Sequence, residues 1–451
     1  MKREAMWIWL AQKCGVASKE LLTLIDGFES IEKIYEADYD TYADMGVSER
    51  LCEDLCDKSL DEANGIIARC QSLKAGILCY DDQKYPSALR SIKDPPAVLY
   101  YSGILPDFNK SLCISVVGTR KMSEYGMRAA YKISYELACS GALVVSGMAL
   151  GVDGVASAAA LAAGGKVVAV FGSGIDIVYP KEHRTLNDKI RRSGVVLTEY
   201  APSTSPFGYN FPIRNRLISG LSQATVVIDA DVDSGAMITA KHAILQGKDI
   251  YAVPSNIDSL NSSGTNSLIR DGAQAVLCGN DIIKNYIFSH GSRLNQKRLY
   301  DAELKSELDP SVLADMGVGT RSGDSGKKDS KGAYVKSVVR KPKKDAVEKT
   351  DNAKNAKEHH ESAYMKALEN DAPNKKEDVS QEKSRDLSRE ALESLSEKQR
   401  RVFEEMPIDF PVTVDYLTKT GMKLGEVISA LTVLEIKGLV SSLPGAIYIR
   451  K

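Results

Sequence analysis

Apolar positions along this chain change period three times, and each change marks a region. Up to about residue 75 they recur at helical spacing: Trp9 and Leu10, then Leu21, Leu22, Leu24 and Ile25, then Ile31, Ile34 and Tyr35. Turn signals at Gly15, Gly27 and Gly46 separate them, which predicts several short helices. From about 76 to 290 the pattern alternates. Short β-branched runs occur at Leu112–Val117, Leu143–Val145, Val167–Phe171, Val195–Leu197, Thr225–Ile228 and Ile250–Val253. Helical patterns lie between them at Glu124–Cys139, Val152–Ala163, Glu182–Arg192 and Ala236–Gln246. Buried strands alternating with helices predict an α/β domain: a Rossmann-like, doubly wound, mostly parallel sheet.

From about 291 to 388 the chain is rich in Lys, Asp, Glu and Ser, with few aromatics and no sustained period. Such a composition buries too little surface to offset the entropy of ordering, so a disordered charged linker is expected. From 389 to 451 periodicity returns. Leu395, Gln399, Val402 and Phe403 suggest one helix, Val412, Val414 and Leu417 a second, and Val427, Ile428, Leu431 and Leu434 a third. Leu439–Ser442 and Ala446–Ile449 flank Leu443-Pro444-Gly445 as a hairpin, completing a winged-helix pattern. Its recognition segment, Lys423 to Lys437, sets two lysines against Glu426 and Glu435, a poor balance for gripping duplex DNA. The N-terminal unit, 1–75, is helix-hairpin-helix-like or SAM-like. It is acidic between Asp38 and Asp61, which favours a structural role.

Composition narrows the chemistry. A formal charge of −1 over 451 residues means that any nucleic-acid site must be a local basic patch. Eight cysteines form no C-x-x-C pair and read as reduced core residues. The first apolar run, Met6–Leu10, is too short for a signal peptide, and no stretch is long enough to span a bilayer. A cytoplasmic protein is expected.

In a doubly wound sheet, ligands bind beyond the carboxyl ends of the strands, so the loops there carry the candidate chemistry. They read Gly118-Thr119-Arg120-Lys121-Met122-Ser123, Ser146-Gly147 to Gly151, Gly172-Ser173-Gly174 with Tyr179-Pro180-Lys181, Arg214-Asn215-Arg216, Asp229 to Ser234-Gly235, and Ser255 with Gly264-Thr265-Asn266. Glycine permits close backbone approach, hydroxyls and amides donate, and guanidinium and ammonium groups match phosphate oxygens. The Arg-Asn-Arg triplet reads as a helix start, where free N–H groups add to the pull on an anion. Six polar strand ends on one edge point to a phosphate- or nucleotide-binding surface. No G-x-x-x-x-G-K-[ST] and no complete G-x-G-x-x-G is present, and the five histidines have no visible nucleophile or metal partner. Asp153, Asp176, Glu199, Asp229 and Asp233 suit turn or cap roles. No catalytic residue, metal or cofactor is assigned, and an enzyme is not indicated.

The ordered set Lys84-Tyr85-Pro86, Gly118-Thr119-Arg120…Ser123…Tyr125-Gly126, Ser146-Gly147…Gly151-Val152-Asp153, Tyr179-Pro180-Lys181, Phe211-Pro212…Arg214-Asn215-Arg216…Gly220-Leu221, Ser234-Gly235…Thr239-Ala240 and Gly264-Thr265-Asn266…Leu268-Ile269 resembles the DprA/Smf family of bacterial DNA-processing proteins. The resemblance covers the α/β domain almost end to end and extends to the flanking helical and winged-helix units. It implies a homodimeric single-stranded-DNA-binding protein that protects incoming strands in natural transformation and helps load RecA recombinase. The family's basic contact positions fall on Arg120 and Lys181, and its polar loops on Ser146, Gly147, Asn215, Ser234, Gly235, Thr265 and Asn266. Ser157, Ser255 and Asp229 depart from the family's usual histidine, glycine and glutamate. Two other readings stay open: a nucleotide hydrolase of the same fold, whose Pro-Gly-Gly-x-Gly-Thr motif is absent here, and a winged-helix transcription regulator.

Overall fold

The computed structural model describes residues 2–259, 261–303, 305–318, 395–406, 412–413, 417, 424–437, 439–443 and 447–450. Its centre is a nine-stranded sheet in the order β1-β2-β6-β5-β4-β3-β7-β8-β9. The strands are β1 (Gly76–Cys79), β2 (Val98–Gly103), β3 (Cys113–Val117), β4 (Leu143–Ser146), β5 (Val167–Val170), β6 (Val195–Thr198), β7 (Ala224–Val227), β8 (Asp249–Ala252) and β9 (Gln274–Ala275). From β6 to β9 every pairing is parallel, while β2 is antiparallel to both β6 and β1. From β3 the chain winds outward through β4, β5 and β6, then returns to place β7 on the other side of β3. The switch point of this doubly wound sheet is therefore between β3 and β7, and all the polar loops emerge from one edge.

Alternation along each strand divides the core between two faces, because successive side chains point to opposite sides of the pleat. Ile114, Val116, Val144, Val167, Ala169 and Val196 face one way; Cys113, Val117, Val145, Val168, Val170 and Leu197 face the other. The first face is covered by α8 (Glu124–Cys139), α9 (Val152–Ala162) and α10 (Arg184–Ser193). The second is covered by α7 (Ser87–Arg90), α11 (Asn210–Gly220), α12 (Gly235–Leu245) and α13 (Ser263–Arg270). Small residues in α9, Val152 to Ala160, are all buried, so α8 can lie against it closely.

The N-terminal unit holds six helices: α1 (Lys2–Cys14), α2 (Glu20–Gly27), α3 (Ile31–Glu36), α4 (Tyr39–Asp44), α5 (Glu49–Cys56) and α6 (Asp61–Ser72). In α1, Ala5 to Leu10 are all buried, since its neighbours surround it: α3, α5 and α6 on one side, β1 and β2 on the other. Its core is continuous with that of the first sheet face.

One expectation is corrected by the described residues. The charged stretch beginning at 291 does not start a disordered linker. After α14 (Gly279–Ile283) and α15 (Ile287–His290), α16 (Gln296–Glu303) and α17 (Pro310–Asp315) pack back on α8 and α9. Leu299, Ala302, Leu313, Met316 and Val318 are buried there, and Ser306 donates to Glu136 at 2.9 Å. The average composition hides these five widely spaced apolar anchors. The rest of the expected linker, 319–388, lies outside the described residues.

The C-terminal domain has α18 (Glu397–Glu405), α19 (Leu424–Ile436) and a three-stranded sheet of β10 (Val412–Thr413), β11 (Val440–Leu443) and β12 (Ile447–Arg450) in the order β10-β12-β11. Val402, Phe403, Leu417, Val427, Leu431, Leu434 and Val440 form its own core. Val412 lies in a strand rather than in the expected second helix, because it pairs with Tyr448 of the wing. Val414 and the hairpin tip at Pro444-Gly445 lie outside the described residues. Among the described residues no helix is long and apolar enough to cross a membrane.

Candidate functional site

The loop after β3 is held at both ends by Asp229, the residue that follows β7 by two. Thr119 donates its N–H to the Asp229 carbonyl at 2.6 Å, and Ser123 donates its N–H to the Asp229 carboxylate at 2.7 Å. The Ser123 hydroxyl then accepts from Gly126 and caps α8. Between these anchors Arg120 and Lys121 are exposed, and neither forms an ion pair among the described residues.

The loop after β4 wraps around Asp153. Its carboxylate accepts from the N–H groups of Gly147 at 3.1 Å and Ala149 at 3.4 Å. Gly151 has φ +82°, and a Cβ there would stand 2.3 Å from the Thr119 carbonyl. Only glycine lets the β3 and β4 loops approach this closely. Ser146 is buried and donates to the Val116 carbonyl, bracing the strand end.

Arg214 reaches this loop from α11. Its guanidinium donates to the carbonyls of Gly147, at 3.1 Å, and Val170, so it ties the ends of β4 and β5 together. Burial pulls its pKa down to about 10, which leaves it cationic at neutral pH. Burial likewise pushes the neighbouring Asp153 carboxyl up, against the pull of Arg214.

Arg120, Gly147, Ala149, Leu150, Tyr179, Pro180, Phe211 and Arg214 line a notch of about 40 Å³. Phe211 forms one of its walls. The Arg120 and Arg214 guanidinium carbons lie 5.7 and 5.8 Å from its ring centroid, and the Tyr179 ring is 5.3 Å away. Lys181, next to Pro180, is exposed and has no ion pair among the described residues. Small-molecule pockets run to roughly 300–1,000 Å³, so this notch is too small to enclose a nucleotide.

Further along the same edge, Ser234 caps α12, and Gly235 is exposed with open space beside it. Asn215 donates to the Gly235 carbonyl at 3.3 Å, linking α11 to that turn. Asn266 clamps Ser255, accepting from its N–H at 3.2 Å and donating to its carbonyl at 3.0 Å. Thr265 is buried and donates to the Ser262 carbonyl.

The expected residues thus do not all share one role. Arg120, Gly147 and Arg214 line the notch, and Gly151 packs against Thr119 and Arg120 behind it. Lys181 follows the lining residue Pro180, and Gly118 and Ser123 belong to the braced β3 loop. Asn215, Ser234, Gly235 and Asn266 continue the rim along β7 and β8. Ser146 and Thr265 are buried and brace the loops, and Arg214 braces the β4 and β5 ends while lining the notch. Arg216 is not part of the surface: it is fully buried, donating to both Glu199 oxygens at 2.9 and 2.7 Å and to Asp94 at 3.0 Å. The Arg-Asn-Arg triplet does not open a helix either. Helix α11 begins at Asn210 with Pro212 in its first turn, where proline's missing N–H costs nothing, so the triplet lies in the second turn. Sequence reasoning assigned Asp229 a turn or cap role without its partners, and missed the bracing by Asn261, whose amide donates to the Lys121 carbonyl at 2.8 Å. It also passed over Lys121 itself, although its place beside Arg120 was a signal.

Among proteins of known family, the DNA recombination-mediator protein A family model matches residues 76–287, and the DprA winged helix domain model matches 387–446. Protein Smf of Synechocystis is 35% identical over 289 residues, covering 62% of this chain and 72% of its own length. The X-ray structure of DNA processing protein A from Streptococcus pneumoniae aligns with a TM-score of 0.56 at 32% identity, covering 62% of this chain and 97% of that one. DNA processing protein A from Helicobacter pylori, whose structure addresses its single-stranded DNA binding mode, aligns at 30% identity with a TM-score of 0.44 over 48% of this chain and 96% of that one.

Proposed function

The chain belongs to the DprA/Smf family of DNA-processing proteins, and from that premise we propose that the rim at the carboxyl edge of its sheet grips unpaired DNA by the sugar-phosphate chain. The observation that carries this reading is the placement of Arg120 and Lys181. Both are exposed cations: Arg120 lines the notch with Gly147, Lys181 directly follows its lining residue Pro180, and Tyr179 and Phe211 are its aromatic walls. Cations and backbone N–H groups hold phosphates without regard to sequence, and aromatic faces accept unstacked bases.

In this reading the bound strand is shielded during natural transformation and handed to RecA recombinase, and the chain acts in the cytoplasm as a homodimer. No reaction is catalysed. Asp153 and Asp229 spend their carboxylates on loop N–H groups, and His183 is buried against the Met148 carbonyl. These three groups are thereby committed to holding the loops, which supports a binding role.

Titration of the full chain with an oligothymidylate and with a duplex of equal length, each at several salt concentrations, tests the proposal. Tighter binding to the single strand, weakening steeply with salt, is the expected result. Preference for the duplex, or binding indifferent to salt, overturns it.

A further inference from the structure

Phosphate contacts alone cannot tell a single strand from a duplex, since both present the same backbone. A feature next to the notch can. The loop after β6 carries Phe207 and Tyr209, which are 50% and 45% exposed. Their rings are stacked on each other, 5.5 Å between centroids and 7° between planes. Together they present a contiguous aromatic patch at the rim, unlike singly scattered surface side chains.

The loop holds them rigidly. Its backbone turns through bonds from Phe207 N–H to the Ser205 carbonyl, Asn210 N–H to the Phe207 carbonyl and Phe211 N–H to the Gly208 carbonyl. Below it Asn210 is buried, donating to the carbonyls of Gly172 at 3.0 Å and Ser205 at 3.3 Å, while the Tyr200 hydroxyl donates to the Asn210 carbonyl. One turn further on, Phe211 enters the notch beside Tyr179 and Arg120. An aromatic platform therefore leads to the cationic notch, fixed before any ligand arrives, so little ordering entropy is lost on binding.

We infer that Phe207 and Tyr209 are the specificity-determining residues of this rim: they take the face of an unpaired base and so set the preference for single strands over duplex. This rests on the proposed grip on DNA and adds to it the source of discrimination. In a duplex every base face is already covered by its neighbours, so the platform contributes only when bases are free.

The test uses the full chain with two double variants, Phe207→Ala/Tyr209→Ala and Phe207→Leu/Tyr209→Leu. Leucine keeps apolar bulk but has no aromatic face. Each is titrated with oligothymidylate, an abasic strand of equal length and a duplex, across a salt series. Both variants are expected to lose roughly 10-fold or more in affinity for oligothymidylate. Their salt dependence, and their affinities for the abasic strand and the duplex, are expected to match the parent protein. Unchanged oligothymidylate binding, full retention by the leucine variant, or equal losses on all three ligands overturns the inference. If the parent protein itself does not bind oligothymidylate, the grip on DNA fails first, and this inference with it.

Discussion

Four cations from neighbouring loops and one helix have opposite fates, and their surroundings explain why. Arg120 and Lys181 are exposed and form no ion pair among the described residues, so each is open to a phosphate. Replacing either with Ala is expected to weaken oligothymidylate binding for every sequence and to lower the slope of log K against log salt by about 0.7 per lost contact. An unaltered slope in the double variant contradicts the assignment. Arg214 and Arg216 are instead buried, one across strand ends and the other between Glu199 and Asp94. Arg216→Ala strands a buried carboxylate, so a loss of about 3–5 kcal/mol in urea unfolding is expected. A loss below about 1 kcal/mol, the usual worth of an exposed pair, contradicts this placement. Two buried histidines add a pH dependence. Burial, with Arg216 and Lys241 nearby, pulls the His242 pKa from 6.5 down to about 4, and burial lowers that of His183 too. The unfolded chain therefore binds more protons between these values, so the stability these residues contribute is complete above about pH 6.5 and declines toward pH 4. Urea midpoints across that range should fall with pH, and His242→Gln should flatten the fall. The residue types of the site were legible in the sequence, because glycine, hydroxyl and basic residues cluster after each apolar run. Which arginine faces solvent was not legible, since Arg214 and Arg216 sit in the same motif as the half-exposed Asn215.

At the level of elements, the six apolar runs became β3 to β8 within a residue or two, because strands buried on both faces leave a continuous β-branched signature. The pair β1 and β2 went unread. Gly76–Cys79 is short, and Val98–Gly103 begins apolar but ends in polar and small residues within the antiparallel end of the sheet. The start of α11 was misplaced because Pro212 suggested a break just before the arginines, whereas proline is well tolerated in a first turn. The charged segment after 290 misled for another reason: α16 and α17 each place only one or two apolar residues in the core. Their burial carries a prediction. A fragment ending at residue 290 uncovers the α8 and α9 surfaces that Leu299, Leu313 and Met316 cover, and each fully buried side chain of this kind is worth about 1.5–3 kcal/mol. A 1–318 fragment should therefore melt well above a 1–290 fragment in thermal unfolding. Coincident melting temperatures contradict the packing described.

Across the whole molecule, the described residues divide the work between an α/β body and a winged helix with its own core. Helix α19, the recognition position of the winged helix, contains Glu426 and Glu435 and no Lys or Arg from Leu424 to Ile436. It offers phosphate little, so deleting residues 389–451 is expected to leave oligothymidylate affinity and its salt slope unchanged. A marked loss in that titration would move part of the DNA grip to the winged helix. The family motifs, the alternation of strand and helix and the polar character of every strand end were present in the linear chain, because period and residue type are local properties. That the rim holds Arg120 and Lys181 but excludes Arg216, and that Phe207 and Tyr209 stand beside the notch, was decided by the fold. Strand order and helix rotation bring residues far apart in sequence to one edge, and burial, which depends on those neighbours, settles which charges still face water.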